Sequence, residues 1–204
     1  MKKFVVFDFD GVIADSKDLY TDTIYNSLIE HSLIYPKGRI ARALGPKLDI
    51  TLKNINHFSK NNIKVLKNGI NSNIVRRAKS LKLCPYAKQT LKRLKKQKCT
   101  LVILTNSSKK FLFAFLKYNK IMKYFDKFFY AENFSDKPSK IKELAKKYKI
   151  NVKNIIYVAD RTKDVKIARK AGCKIIIVLA CSWDKNEFHG EKYTIKSLKD
   201  IRIL

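Results

Sequence analysis

Short apolar runs recur along the chain, too far apart to pair as hairpins. Phe4 to Phe7, Thr100 to Leu104, Phe128 to Ala131, Ile155 to Val158 and Lys174 to Leu179 are rich in Val, Ile, Leu and aromatic residues, the composition of strands. They do not alternate apolar with polar, so they predict strands buried on both faces. Between them the spacing turns helical. Leu19, Ile24, Leu28 and Ile29 recur within 19–33, and Ala87, Leu91 and Leu94 share a face after Pro85. Phe111 to Tyr118 is an aromatic-rich helix. Ser135-Asp136-Lys137-Pro138 opens another, in which Ile141, Leu144, Ala145 and Tyr148 follow at i, i+3, i+4 and i+7. A further helix ends at Ala171, stopped by Gly172. Tyr193 to Ile195 is a candidate edge strand, with a closing helix from Ser197.

Strands alternating with helices predict an α/β fold, a mostly parallel sheet with helices on both faces. Residues 34–84 break this rhythm. They are weakly patterned and rich in Lys and Asn, with helical fragments such as 74–83. The expected organisation is a core formed by residues 1–15 and 85–204, with residues 16–84 inserted after the first strand as a small, mostly helical cap.

Composition narrows the class. The chain has 204 residues, 46% hydrophobic and 30% charged, enough to bury a core and too apolar for a disordered chain. The opening residues briefly imitate a signal peptide, but Asp8 and Asp10 interrupt the apolar run. No stretch approaches the roughly 18 apolar residues of a membrane span. Cys84, Cys99, Cys173 and Cys181 lack the spacing of a zinc or redox motif. The expectation is a soluble cytoplasmic protein with reduced thiols and no membrane partner.

The net charge of +28 first suggests nucleic acid. Its distribution weakens that reading. Residues 17–88 hold 14 basic and 4 acidic residues, and residues 89–204 hold 29 and 10, so the excess is even rather than gathered on a tail. Lysine also far outnumbers arginine, the better phosphate fork. An even lysine excess reads as a compositional bias of the whole proteome, and a nucleic-acid partner is disfavoured.

The chemistry gathers at strand ends. Asp8 and Asp10 leave the first strand, Thr105 the second, and Asp160 a later one. In a parallel sheet these groups meet at the carboxyl edge, where open α/β sheets bind ligands. Carboxylates so close repel unless protonated or bound to a cation, and an oxygen-rich set suits Mg²⁺. Asp8 and Asp10 fall on one side of an extended strand end. One could attack phosphorus while the other protonates the leaving oxygen. Gly11 permits a sharp turn directly after them.

These residues resemble a known family, the haloacid dehalogenase superfamily of phosphohydrolases. The first motif is Asp8-Phe9-Asp10-Gly11-Val12-Ile13-Ala14-Asp15-Ser16. Leu104-Thr105-Asn106, Lys137-Pro138 and the run from Val158 to Asp164 follow in the family's order. The resemblance spans nearly the whole chain and implies a Rossmann-like, three-layer αβα core. It implies Asp8 as nucleophile, forming an aspartyl-phosphate, and Asp10 as general acid and then base. Thr105 and the Asn106 backbone would hold phosphate oxygens, Lys137 would steady nucleophile and phosphate, and Mg²⁺ would sit on the Asp8 side chain, the Asp10 backbone carbonyl and Asp160, supported by Asp164. The second acid, Asp10, favours phosphate esters over dehalogenation. The helical insertion is similar to the phosphoglycolate phosphatase-like branch, whose cap encloses a small phosphorylated metabolite.

Two positions depart from the pattern. Ala159 stands where the family usually has Gly. The interval from Lys137 to Asp160 is slightly short, which makes Lys140 an alternative for the third-motif lysine; Lys137 is preferred because Lys140 falls within the helix. Plainer readings stand beside each assignment: Asp8, Asp10 and Asp160 as turn residues, Thr105 as a helix cap, Lys137 as one solvated lysine among many, Asp164 as a first-turn dipole partner. His31, His57 and His189 lack metal-ligand spacing and read as structural or surface residues. Cys181 has no evident base to make it a nucleophile. Trp183 and His189 lie close enough after the Lys174 to Leu179 strand to reach the site, without an assigned role.

The expected activity is a Mg²⁺-dependent phosphatase acting as a monomer or homodimer. Alternatives are a phosphomutase or a nucleotide or polynucleotide phosphatase on the same scaffold, or a basic nucleic-acid-binding protein without activity.

Overall fold

The computed structural model describes residues 3–56, 58–183, 186, 188 and 192–202. His57 and His189 lie outside them. Strands β1 (Phe4–Phe7), β2 (Thr100–Leu104), β3 (Lys127–Phe129), β4 (Ile155–Ala159), β5 (Lys174–Val178) and β6 (Thr194–Ile195) form one sheet in the order β3-β2-β1-β4-β5-β6. All five pairings are parallel. The chain builds outward from β1 to β3, then returns to lay β4 on the other side of β1. The switch point between β1 and β4 is where such sheets open a ligand crevice.

The apolar runs are buried on both faces, as their lack of alternation required. In β1, Val5 and Phe7 enter one core cluster, and Phe4 and Val6 the other. In β2, Leu101 and Ile103 divide from Val102 and Leu104 in the same way. Helices α5 (Ala87–Lys96) and α6 (Lys109–Tyr118) cover the first face, and α7 (Lys137–Lys147) and α8 (Thr162–Ala171) the second. This is the three-layer α/β architecture expected from the sequence.

Between β1 and α5 come α1 (Lys17–Ile29), α2 (Lys37–Ala43), α3 (Leu48–Ile55) and α4 (Lys60–Arg77). The stretch that looked weakly patterned is thus three further helices. Its apolar stripe is thin: α4 buries only Ile63, Leu66, Ile70 and Ile74, one per turn, among Lys and Asn. Packing against α1 and α6 outweighs the poor propensity of its Asn and Gly residues. The chain leaves and re-enters the sheet side by side. The Asp15 N–H donates to the Lys82 carbonyl at 3.1 Å, and the Cys84 N–H donates to the Ile13 carbonyl at 2.9 Å.

Smaller differences have local causes. α5 begins at Ala87 rather than Pro85 because Tyr86 takes a left-handed conformation, φ +62°. β3 ends at Phe129, where its register with β2 runs out at Leu104. The closing helix from Ser197 is a single 3₁₀ turn, Leu198–Asp200. No helix among the described residues is long and apolar enough to cross a membrane.

Phe9 locks the carboxyl edge of the sheet to the core. It lies between Asp8 and Asp10, is fully buried, and meets Phe111 and Phe115 of α6 edge-on at 5.6 and 5.2 Å. Phe9→Ala is expected to cost about 3–5 kcal/mol of stability, measured by urea unfolding; a loss below about 1 kcal/mol would deny this anchoring role.

Candidate active site

Asp8 directly follows β1, and its N–H donates to the Val158 carbonyl of β4 at 2.8 Å. Asp160 directly follows β4, so the two carboxylates face each other across the switch point. Asp164, in the first turn of α8, completes a buried triad in which one oxygen from each of Asp8, Asp160 and Asp164 lies within 4.8 Å of the others. Gly11 makes the approach possible: its φ is +74°, and a Cβ there would come within 2.2 Å of Asp160 Oδ2.

Lys137, at the first turn of α7, enters this cluster. Its ammonium donates to Asp8 Oδ2 at 2.5 Å and to the Tyr157 hydroxyl at 2.8 Å, and lies 3.9 Å from Asp164 Oδ1. Only 5% of it is exposed, which removes the reading of a solvated lysine. Burial opposes its charge, yet Asp8 and Asp164 outweigh burial and hold the ammonium above its usual pKa. Lys140 instead pairs with Glu143 on the surface of α7 and lies over the Phe129 ring.

Burial pushes Asp160 well above the usual carboxylate range, and Asp164 and Asp8 push the same way. Burial also raises Asp164, against the pull of Lys137. Ionising all three carboxylates beside one ammonium would leave an excess of negative charge, which adds to burial in holding Asp160 and Asp164 above their usual range. Clustered oxygen donors short of countercharge are the donor set that a hard divalent cation satisfies, so the residues present fit such an ion.

Asp10 occupies a different environment. Its Oδ1 accepts from Ser16 Oγ at 2.6 Å, and its Oδ2 accepts from Ser107 Oγ at 2.5 Å and Thr105 Oγ1 at 3.3 Å. The Tyr20 hydroxyl is 2.7 Å from Ser107 Oγ. Burial raises the Asp10 pKa to about 6, against these hydroxyl hydrogen bonds. Thr105 is wholly buried and does not cap α6; Ser108 does, accepting from the Phe111 N–H. The Thr105 hydroxyl accepts from the Ser107 N–H at 3.0 Å.

The segment 44–47 forms a roof over this edge. The Leu44 carbonyl accepts from Arg161 Nη1 at 2.7 Å and from Lys163 Nζ at 2.6 Å. Asn106 Nδ2 donates to the Gly45 carbonyl at 2.8 Å, and Lys47 Nζ to the Phe134 carbonyl at 2.5 Å. Beneath lies a cavity of about 50 Å³ that reaches Asp8, Asp10, Asn106, Lys137 and Asp160. The structure therefore brings together Asp8, Asp10, Thr105, Asn106, Lys137, Asp160 and Asp164.

Sequence reasoning missed several partners. Tyr157 of β4 donates to Asp164 Oδ1 at 3.0 Å and sits 3.5 Å from Asp8 Oδ2. Its signal, a hydroxyl in an otherwise apolar strand three residues before Asp160, was readable. Ser107, next to Asn106, was equally close at hand. Ser182 had no such signal; its Oγ donates to the Asp160 carbonyl. Trp183, placed within reach of the site by its position after a strand but given no role, donates its N–H to Asp160 Oδ2 at 3.3 Å. His31 is remote, with its ring nitrogen on the Ser27 carbonyl of α1.

Fold and site together define an α/β protein with a buried aspartate cluster at the carboxyl edge of a parallel sheet. Residues 5–178 match the family model for haloacid dehalogenase-like hydrolases, and the chain belongs to that family. A phosphoglycolate phosphatase from Aliivibrio fischeri is 24% identical over 190 residues, covering 84% of this chain and 81% of the relative. Among solved structures, a hydrolase from Pseudomonas syringae superposes with a TM-score of 0.85 at 18% identity, covering 98% of this chain and 95% of that one. CbbY from Rhodobacter sphaeroides in complex with phosphate superposes with a TM-score of 0.82 at 13% identity, covering 98% and 96%. The protein is a phosphatase of this family, phosphoglycolate phosphatase-like at low identity.

Two substitutions test the geometry. Gly11→Ala is expected to displace Asp160 and lower activity at least tenfold, since strain and clash act together; unchanged kcat would contradict the close approach. Tyr157→Phe leaves Lys137 and Asp164 one hydrogen bond short and is expected to lower kcat about tenfold with KM unchanged. An equal fall in melting temperature and activity, without that split, would make Tyr157 merely structural.

Proposed function

We propose that the protein is a Mg²⁺-dependent phosphomonoesterase acting on a small phosphorylated metabolite, with Asp8 as nucleophile. The observation that carries this reading is the contrast between two carboxylates two residues apart. Asp8 is ion-paired with Lys137, whereas Asp10 is held by hydroxyls in a site that raises its pKa to about 6. Environments that separate two carboxylates in this way divide the work between nucleophile and acid.

The reaction follows from that division. An Asp8 oxygen attacks phosphorus, the bond to the leaving oxygen breaks, and Asp10 gives that oxygen its proton. Asp10, now a carboxylate, takes a proton from water as the water attacks the aspartyl-phosphate, releasing phosphate and regenerating Asp8. Lys137 holds Asp8 in place and offsets charge on the phosphoryl group, and Thr105 and Asn106 serve the phosphate oxygens. The Asp8 and Asp160 carboxylates, with Asp164 in support and the Asp10 backbone carbonyl as a further donor, would hold Mg²⁺, which would neutralise phosphoryl charge.

Residues 16–84 act as the cap, its 44–47 segment closing the site. The small cavity beneath supports a small metabolite over a polymer. The phosphoglycolate phosphatase relative supports the same substrate class. Cytoplasmic location and action without a nucleic-acid partner complete the reading.

Purified protein with Mg²⁺ is expected to release phosphate from a generic aryl phosphate, and Asp8→Asn and a chelator are each expected to abolish release. Lys137→Met should lower kcat by about 10²–10³, while Lys140→Met stays near wild type. Retained turnover in Asp8→Asn would overturn the nucleophile assignment.

A further inference from the structure

We propose that Tyr20 of α1 is a positioning residue for proton delivery: its hydroxyl sets the direction of a hydroxyl relay through Ser107 to Asp10, and so keeps the Asp10 proton aimed at the leaving oxygen. The proposal rests on the phosphatase reading for the role of Asp10.

The relay crosses from the inserted helices to the sheet edge. Tyr20 lies in α1, and Ser107 follows β2, 87 positions further along. The Tyr20 ring meets Phe111 edge-on at 5.7 Å, and Phe111 meets Phe9, the residue between Asp8 and Asp10, at 5.6 Å. The phenol is therefore held by the aromatic cluster that also holds the Asp10 backbone. Tyr20 and Ser107 both line the cavity that reaches Asp10.

Proton counting gives the relay its direction. A carboxylate only accepts. Ser16 Oγ donates to Asp10 Oδ1, and Ser107 Oγ and Thr105 Oγ1 donate to Oδ2. A serine hydroxyl carries one proton, and that of Ser107 is directed at Asp10. Its contact with Tyr20 at 2.7 Å is then one in which Tyr20 donates. Burial pushes the Tyr20 phenol well above its usual pKa, and Asp10 pushes the same way, so the phenol keeps the proton that it donates.

The direction matters when Asp10 is protonated. A reversed relay would have Asp10 donate its own proton to Ser107, away from the ester. Ser107 would then donate to Tyr20, and the Tyr20 proton would turn to the cavity, one hydrogen bond short among the described residues. With Tyr20 donating, the forward direction is favoured and the acid's proton is left for the leaving oxygen. It passes there as the bond from phosphorus to that oxygen breaks and the bond to Asp8 forms. The carboxylate left behind already faces three hydroxyl donors, an arrangement in place before the charge develops.

Tyr20→Phe keeps the ring against Phe111 and removes the hydroxyl alone. Esters with different leaving groups read the consequence. Ethyl phosphate expels an alkoxide that needs a proton, whereas 2,4-dinitrophenyl phosphate expels a phenolate that does not. The full chain with Mg²⁺ is assayed on both, and kcat/KM is compared because it reports the steps up to departure of the leaving group. Tyr20→Phe is expected to lower kcat/KM for ethyl phosphate about tenfold more than for 2,4-dinitrophenyl phosphate. Ser107→Ala is expected to show the same asymmetry, and adding Tyr20→Phe to it should widen the asymmetry no further, since the two hydroxyls act as one unit. Equal losses on the two esters, the mark of a packing or phosphate-binding role, would overturn the proposal, as would additive losses in the double variant. A wild-type chain that hydrolyses neither ester would overturn the phosphatase reading and the proposal with it.

Discussion

The buried contact between Lys137 and Asp8 sets the terms for the carboxyl edge of the sheet. Removing two charges from water is costly unless they meet at close range and their remaining hydrogen-bonding capacity is used. Here the ammonium meets Asp8 at 2.5 Å, Tyr157 at 2.8 Å and Asp164 at 3.9 Å. Those partners come from β1, β4 and α8, and the lysine itself from α7. All four elements must therefore be seated before the charge is compensated.

The sheet supplies that seating. β1 and β4 are neighbours in register, Phe7 opposite Val158, and both are sealed by apolar layers on either side. Two rigid strands ending side by side present Asp8 and Asp160 to each other with little freedom to relax, which preserves the repulsion that a cation would relieve. Tyr157 belongs to the cluster on the α7 and α8 face. Its hydroxyl rises from that face to Lys137 and Asp164, joining the apolar layer to the polar site.

Against a net charge of +28, the centre of the molecule is acidic. The basic excess does two different things. Most of it is spread over the surface, where its effect is a diffuse attraction for anions. A few cations do specific structural work at the closure: Arg161 and Lys163 converge on the Leu44 carbonyl, and Lys47 reaches the Phe134 carbonyl. A lysine count does not separate these roles, because position alone decides whether an ammonium is solvated or bound to a carbonyl.

The strands, their parallel order and the acids at their ends were legible from the sequence, because strands buried on both faces demand unbroken apolar runs and turns off them demand short polar residues. Asp8, Asp10, Thr105 and Asp160 stood out on those grounds, and Lys137, at a helix start, through the family resemblance. The helices of residues 34–84 did not, since they bury one residue per turn and depend on contacts with distant segments. The choice between Lys137 and Lys140 waited on which ammonium faces β1, and only the packed fold settles that. Ser182 and Trp183 follow β5 and touch Asp160 at the end of the neighbouring β4, more than twenty residues away in sequence. Local pattern determined which residues could carry charge at a strand end. The tertiary structure decided which of those charges share a site, because electrostatic coupling depends on distance through space and the sequence records only distance along the chain.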